Sequence, residues 1–222
     1  MPADRLEVPG ELLATGVVAI ARAASVSRVE AAVEALVGAG LTCIEVPLTT
    51  PGAVATIASL VATYGGSACI GAGTVLTTEQ ASACIDAGAA FLVSPSAVPE
   101  VVALAAARGV PSMPGALTPT EIVAAWRSGA AAVKLFPASL GGARYLRDVR
   151  APLPDIALLP TGGIAIDDVT AYIDAGAIAI GVGGPLFGDA LDGGDLDALA
   201  GRGRQFLAAV AQARQARGAG VR

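Results

Sequence analysis

GAGLTCIEVPLTTPGAVATIASLVATYGGSACIGAG, residues 38–73, holds the repeating unit from which the chain is built. A short apolar run at 41–47 reads as a strand. Pro51 then sits where proline is favoured, at the first position of a helix, and apolar residues at helical spacing continue to about Thr63. A second apolar run at 67–71 gives another strand. Strand, helix and strand in this order imply two parallel strands joined by a crossover helix.

Working outward, the same unit recurs along the whole chain. Residues 16–22 read as a strand, followed by a helix over 26–37 with Ser25 as its N-cap. Strands four to six are expected at 89–93, 110–113 and 130–136, and strands seven and eight at 156–160 and 177–182. Helices are expected at 78–87, 99–108, 119–128, 166–174 and 196–216, with 217–222 as a frayed tail. The tripeptides Gly38-Ala39-Gly40, Asp86-Ala87-Gly88 and Asp174-Ala175-Gly176 each precede a strand and read as helix C-caps. Eight such units predict an α/β fold, a closed (β/α)₈ TIM barrel, with an extra N-terminal helix over 6–14. An open doubly wound sheet fits less well, because no Gly-x-Gly-x-x-Gly turn opens the chain.

Length and composition agree with one domain over residues 1–222. The 14 basic and 19 acidic residues, net −5, supply no basic patch for nucleic acid. No run of 18 apolar residues and no signal-peptide pattern is present, so a soluble, cytoplasmic protein with no membrane association is expected. Cys43, Cys69 and Cys84 form no C-x-x-C pair and read as reduced core residues. With no histidine in the chain, Ser-His-Asp and Cys-His triads and most catalytic zinc sites are excluded, and no metal is expected.

Of the 14 basic residues 13 are arginine, so the amine nucleophile of this chain can only be Lys134. It lies in strand six, where Ala132, Lys134 and Phe136 share one face. If that face is interior, burial disfavours the ammonium and favours the neutral amine that a Schiff base requires. Glu45 takes the matching place in strand two, between Ile44 and Val46, and a carboxylate there is costly unless paired or useful. It reads as a proton shuttle or as a salt bridge to Lys134 or Arg22. Arg22 closes strand one and suits a substrate carboxylate or phosphate. Gly71 to Thr74 end strand three and Ser94-Pro95 ends strand four. Thr161-Gly162-Gly163 and Gly183-Gly184-Pro185 follow strands seven and eight, where glycine-rich loops bind phosphate through backbone N–H groups.

The motifs Ile-Glu-Val-Pro-Leu (44–48), Ile-Gly-Ala-Gly-Thr-Val (70–75), Val-Ser-Pro (93–95), Met-Pro-Gly (113–115), Val-Lys-Leu-Phe-Pro-Ala (133–138) and Pro-Thr-Gly-Gly-Ile (160–164) occur in this order. Together they resemble the class I aldolases of 2-keto-3-deoxy-6-phosphogluconate (KDPG) and 4-hydroxy-2-oxoglutarate (KHG), over roughly residues 12–212. The resemblance implies a homotrimeric (β/α)₈ barrel that uses no metal and no cofactor. Its substrate would be a small 2-keto acid, phosphorylated in some members. By motif, Lys134 would form the Schiff base and Glu45 would be the general acid/base. Thr74, Pro95 and Phe136 would shape the pyruvyl pocket, and Thr161, Gly162 and Gly163 would meet the phosphate. Two positions depart from the pattern. Better-known members carry arginine where this chain has Thr49, and members without it have one in strand one, as Arg22 is here. Members also often carry serine where this chain has Gly184, which leaves one hydroxyl donor fewer. Rival readings on the same fold are a metal-dependent phosphosugar epimerase, which the lack of histidine disfavours, and a non-catalytic phosphosugar-binding barrel.

Overall fold

A computed structural model describes residues 5–219. In chain order the elements are α1 (Gly10–Thr15), β1 (Val17–Ile20), α2 (Val29–Gly38), β2 (Cys43–Pro47), α3 (Ala53–Tyr64), β3 (Cys69–Gly73), α4 (Thr78–Asp86), β4 (Leu92–Val93) and α5 (Pro99–Ala107). There follow β5 (Ser112–Met113), β6 (Gly115–Ala116), α6 (Pro119–Arg127), β7 (Val133–Leu135), α7 (Gly142–Arg150), β8 (Leu158–Pro160), α8 (Val169–Asp174), β9 (Ile180–Val182), α9 (Gly184–Phe187) and α10 (Leu196–Ala219). The fold is α/β. Every strand pair is parallel, in a six-stranded sheet ordered β5-β4-β3-β2-β1-β9 and a three-stranded sheet ordered β6-β7-β8.

Hydrogen bonds run between the two sheets at both ends. Ala131 N donates to Ser112 O at 2.9 Å and Lys134 N to Pro114 O at 2.9 Å, so one edge passes from β5 to β7 across the proline. At the other edge Ile178 N donates to Leu158 O at 3.1 Å, and Thr161 bridges to Gly181. The expected fifth strand, 110–113, is observed as the shorter β5, and Pro114, which has no N–H to give, separates it from β6, a short strand that the sequence reading did not expect.

The helix ends explain the recurring Ala-Gly tripeptides. Gly40, Gly88 and Gly176 adopt φ of +89°, +89° and +97°, a region that other residues rarely enter. The residue after each glycine returns its N–H to the helix, Leu41 to Leu36 O, Ala89 to Cys84 O and Ala177 to Tyr172 O, at 2.9 to 3.1 Å. Each helix is thereby closed and turned straight into a strand. Thr118 and Glu121 form a reciprocal capping box at the start of α6, and the backbone N–H groups there hold the Glu121 carboxyl below its ordinary value.

Several boundaries differ from the sequence reading. The N-terminal helix is six residues rather than the expected 6–14, because Pro9 holds an extended ψ of 135° and the helix begins after it. Strand one stops at Ile20, so Arg22 lies two residues beyond it instead of closing it. Strands four and six are shorter than expected, which puts Phe136 just past β7. Helix α7, which has no counterpart in the sequence reading, fills the stretch between β7 and β8 and buries Leu146 and Val149. Helix α10 continues to Ala219, and Arg217 donates to Ile173 O at 3.3 Å, so 217–219 are not frayed. The remainder of that tail, 220–222, lies outside the described residues.

Apolar side chains fill two compartments. The larger lies between helices and strands and holds residues such as Val17, Ile44, Ile70 and Val133. The smaller lies on the other face of the strands, among Leu12, Val18, Cys43, Phe91, Met113, Ala132 and Leu159. All three cysteines are buried and unbridged, and burial pushes the Cys84 thiol up to about 11. No helix among the described residues is long and apolar enough to cross a membrane.

Candidate active site

The smaller compartment is the floor of the site. Side chains of a strand alternate between faces, so the residue two places beyond each floor residue shares its side. Cys43 leads to Glu45, Ala132 to Lys134, and Leu159 to Thr161. These three polar side chains therefore stand above an apolar floor, at 2%, 5% and 3% exposure. In register, Glu45 faces Ile20 on one side and Gly71 on the other, and Lys134 faces Gly115 and Leu159. Glycine keeps room for them. A Cβ on Gly73 would overlap the Glu45 carboxylate, and one on Gly181 would overlap the Thr161 hydroxyl.

Lys134 and Glu45 are buried without being paired. The ion pairs among the described residues are Arg108–Asp86 and Arg144–Asp148, both at the surface, so Glu45 bridges neither Lys134 nor Arg22. Every side-chain nitrogen or oxygen sealed from solvent among the described residues has a hydrogen-bond partner. The Lys134 ammonium and Glu45 carboxylate take part in none, and so their tips must open onto free space. The Lys134 Nζ stands 5.1 Å from the centroid of the Phe136 ring. A buried amine without a carboxylate partner is poorly explained by stability, since isolated buried charge is unfavourable.

Lys134 opens onto a cavity of about 310 Å³. Its wall brings together Arg22, Lys134, Phe136, Thr161, Gly162, Gly163, Gly183 and Gly184 from the sequence reading. Arg22 is exposed at the rim and unpaired. Gly162 and Gly163 adopt φ of +100° and +74°, and their N–H groups, with that of Gly184, donate to no protein acceptor among the described residues. Three open amides and a guanidinium form a surface suited to an anion.

Other expected residues fall elsewhere. Pro95 lines a second cavity of about 230 Å³ on the far side of the Phe136 ring, which both cavities share. Glu45 and Thr74 line neither; Glu45 reaches the first only through its strand neighbour Ile20. Thr74 follows Gly73 at φ +59°, the one left-handed non-glycine among the described residues, a conformation that costs energy and commonly marks functional positions. Among the wall residues of the first cavity that the sequence reading missed are Ile20, Phe187, Leu191 and Asp192. Ile20 was legible as an interior strand residue. The other three follow strand eight, in a segment that resembles a plain turn. No cluster of three or more Cys, Asp or Glu side chains that could hold a metal occurs among the described residues.

Comparison with known proteins bears on this arrangement. The family described as "KDPG and KHG aldolase" matches residues 10–201. A relative from Rhizobium meliloti (strain 1021), named a probable 2-dehydro-3-deoxy-6-phosphogalactonate aldolase, is 37% identical over 194 residues, 87% of this chain and 91% of its own. A solved structure described as native KDPGal superposes with a TM-score of 0.84 at 34% identity, covering 90% of this chain and 96% of that one. A KDPG aldolase from Legionella pneumophila, with pyruvate captured as a covalent carbinolamine intermediate, superposes with a TM-score of 0.81 at 26% identity, covering 87% and 95%.

Proposed function

This chain belongs to the KDPG and KHG aldolase family and is a carbon–carbon lyase, a class I aldolase of 2-keto-3-deoxy acids; on that premise we propose the residues that carry the reaction. The observation that supports the assignment most directly is Lys134, buried, unpaired and opening onto the cavity.

Lys134 Nζ adds to the C2 ketone of a 2-keto-4-hydroxy acid to give a carbinolamine. Glu45, through a water or the substrate itself, delivers the proton with which the C2 hydroxyl leaves as water. The iminium that results accepts the electron pair of the C3–C4 bond as the C4 hydroxyl gives up its proton. The aldehyde departs, the enamine is reprotonated at C3 with the help of Glu45, and water hydrolyses the iminium to pyruvate and free lysine. The absence of a Glu45–Lys134 ion pair suits this role, because a carboxylate locked onto the amine could not serve the substrate. Phe136, with Thr74 and with Pro95 of the second cavity, flanks the pyruvyl half. Arg22, Thr161 and the open amides of Gly162, Gly163 and Gly184, beside Gly183, receive the far end of the substrate, a phosphate or carboxylate.

The same proposal includes a single domain whose two sheets close as one eight-stranded (β/α)₈ barrel, the β5–β7 and β8–β9 hydrogen bonds supporting closure. It also includes assembly as a homotrimer, which rests on the family resemblance, and work in the cytoplasm, which rests on the sequence reading.

The direct test is to incubate the protein with pyruvate, reduce with borohydride and map the adduct by mass spectrometry. A reduced pyruvyl group on the peptide containing Lys134 is the expected result. Folded protein with no adduct would overturn the assignment. A second test concerns Glu45. Gly73→Ala places a methyl where the carboxylate lies, and the end of a flexible side chain yields more easily than backbone. Stability should change by no more than about 1–2 kcal/mol. Displacing the shuttle should nevertheless lower kcat by roughly tenfold to a hundredfold. Thermal unfolding and steady-state kinetics check both halves, and an unchanged kcat would show that the position of Glu45 is unimportant.

A further inference from the structure

We propose that Asp192 is a specificity-determining residue that sets how strongly this site prefers a phosphorylated substrate; the inference rests on the aldolase reading of the cavity. Asp192 lies in the cavity wall together with Arg22 and the Gly162, Gly163 and Gly184 loops. It is exposed at the rim and engages no arginine within 4 Å. The far end of the cavity therefore carries one guanidinium and one carboxylate, and its side-chain charges cancel. A phosphate dianion seated on the open amides shares the cavity with the Asp192 carboxylate and is repelled by it. A neutral polyhydroxy chain is favoured by the same group, because a carboxylate accepts hydrogen bonds from hydroxyls.

The carboxylate is held where it is. Arg28 donates to Ala190 O at 2.9 Å and to Gly194 O at 2.7 Å, on either side of Asp192. Arg202 donates to Leu186 O and Phe187 O at 2.6 and 2.7 Å. Asp192 N itself donates to Asp189 O at 2.9 Å. Two arginines thus clamp the segment that carries the carboxylate to the rim, while the carboxylate is left without a partner. At Gly184 no side chain adds a donor for the anion. Like-charge opposition that is built in at one end of a pocket excludes one class of ligand as effectively as attraction selects another.

The test compares kcat/KM for a 2-keto-3-deoxy-6-phospho acid and for the same acid without its phosphate. Asp192→Asn keeps the shape and removes the charge. It should raise kcat/KM for the phosphorylated substrate by about fivefold, the scale of one partly screened charge pair, and lower it for the unphosphorylated substrate. Asp192→Glu should restore a ratio close to that of the wild type. Glu100→Gln, an equal change of net charge on the exposed face of α5, should leave the ratio alone. A ratio unmoved by Asp192→Asn, or moved equally by Glu100→Gln, would overturn the proposal. Wild-type protein that forms no borohydride-trapped pyruvate adduct at Lys134 would strike the underlying aldolase reading instead, and this inference with it.

Discussion

Lys134→Met is expected to eliminate turnover, with kcat down by roughly 10⁴-fold or more, the scale on which enzymes lose rate when a covalent nucleophile is removed. The same variant should form no trapped adduct. Its fold should survive, and its thermal midpoint should hold or rise. Lys134 is 5% exposed and makes no ion pair, so its removal strands no partner, and methionine fills similar space with apolar atoms. A structural lysine would behave in the opposite way, losing stability and keeping activity. Kinetics and calorimetry on one preparation separate the two, and measurable cleavage above about 1% of wild type would remove Lys134 from the chemistry.

The second large effect belongs to Glu45. Glu45→Gln preserves size and leaves the amine untouched, so pyruvate should still be captured on Lys134 by borohydride. Steps that move protons should slow by about 10²- to 10⁴-fold, the usual contribution of a positioned acid or base. Exchange of the pyruvate methyl protons with deuterated water requires iminium formation and proton transfer at C3 but no C3–C4 cleavage, and it should fall with kcat. Exchange at the wild-type rate, with cleavage also intact, would leave Glu45 without its role.

Much of this arrangement was legible because it is written in short-range patterns. The 41–47, 51–63 and 67–71 periodicities correspond to β2, α3 and β3, each displaced by only a few residues. The Ala-Gly caps repeat because each crossover faces the same steric demand. Lys134 and Glu45 stood out because a charge inside an apolar strand has no local explanation. Strand lengths were less legible, since β4 and β5 hold only two residues each and adjacent extended chain looks the same in sequence. Helix α7 has a clear amphipathic pattern in Leu146 and Val149, but it is preceded by Gly141-Gly142, a signal that suggests a loop. Asp192 was beyond reach. It sits in Leu-Asp-Gly-Gly-Asp, which resembles an exposed turn, and long-range bonds from Arg28 and Arg202 hold its segment at the cavity.

The apolar floor has a consequence for traffic. Leu12 from α1, with Val18, Cys43, Phe91 and Met113, seals the space beneath Lys134, while Arg22, Gly184 and Asp192 stand exposed at the opposite end. The chamber opens at that exposed end. Under the proposed chemistry the fragment tethered to the lysine occupies the inner end, and the fragment released first is the one nearer the exit. In synthesis the order reverses, and pyruvate must already be seated when the aldehyde arrives. Sequence of entry and departure thus follows from which end of the chamber is floored and which is open.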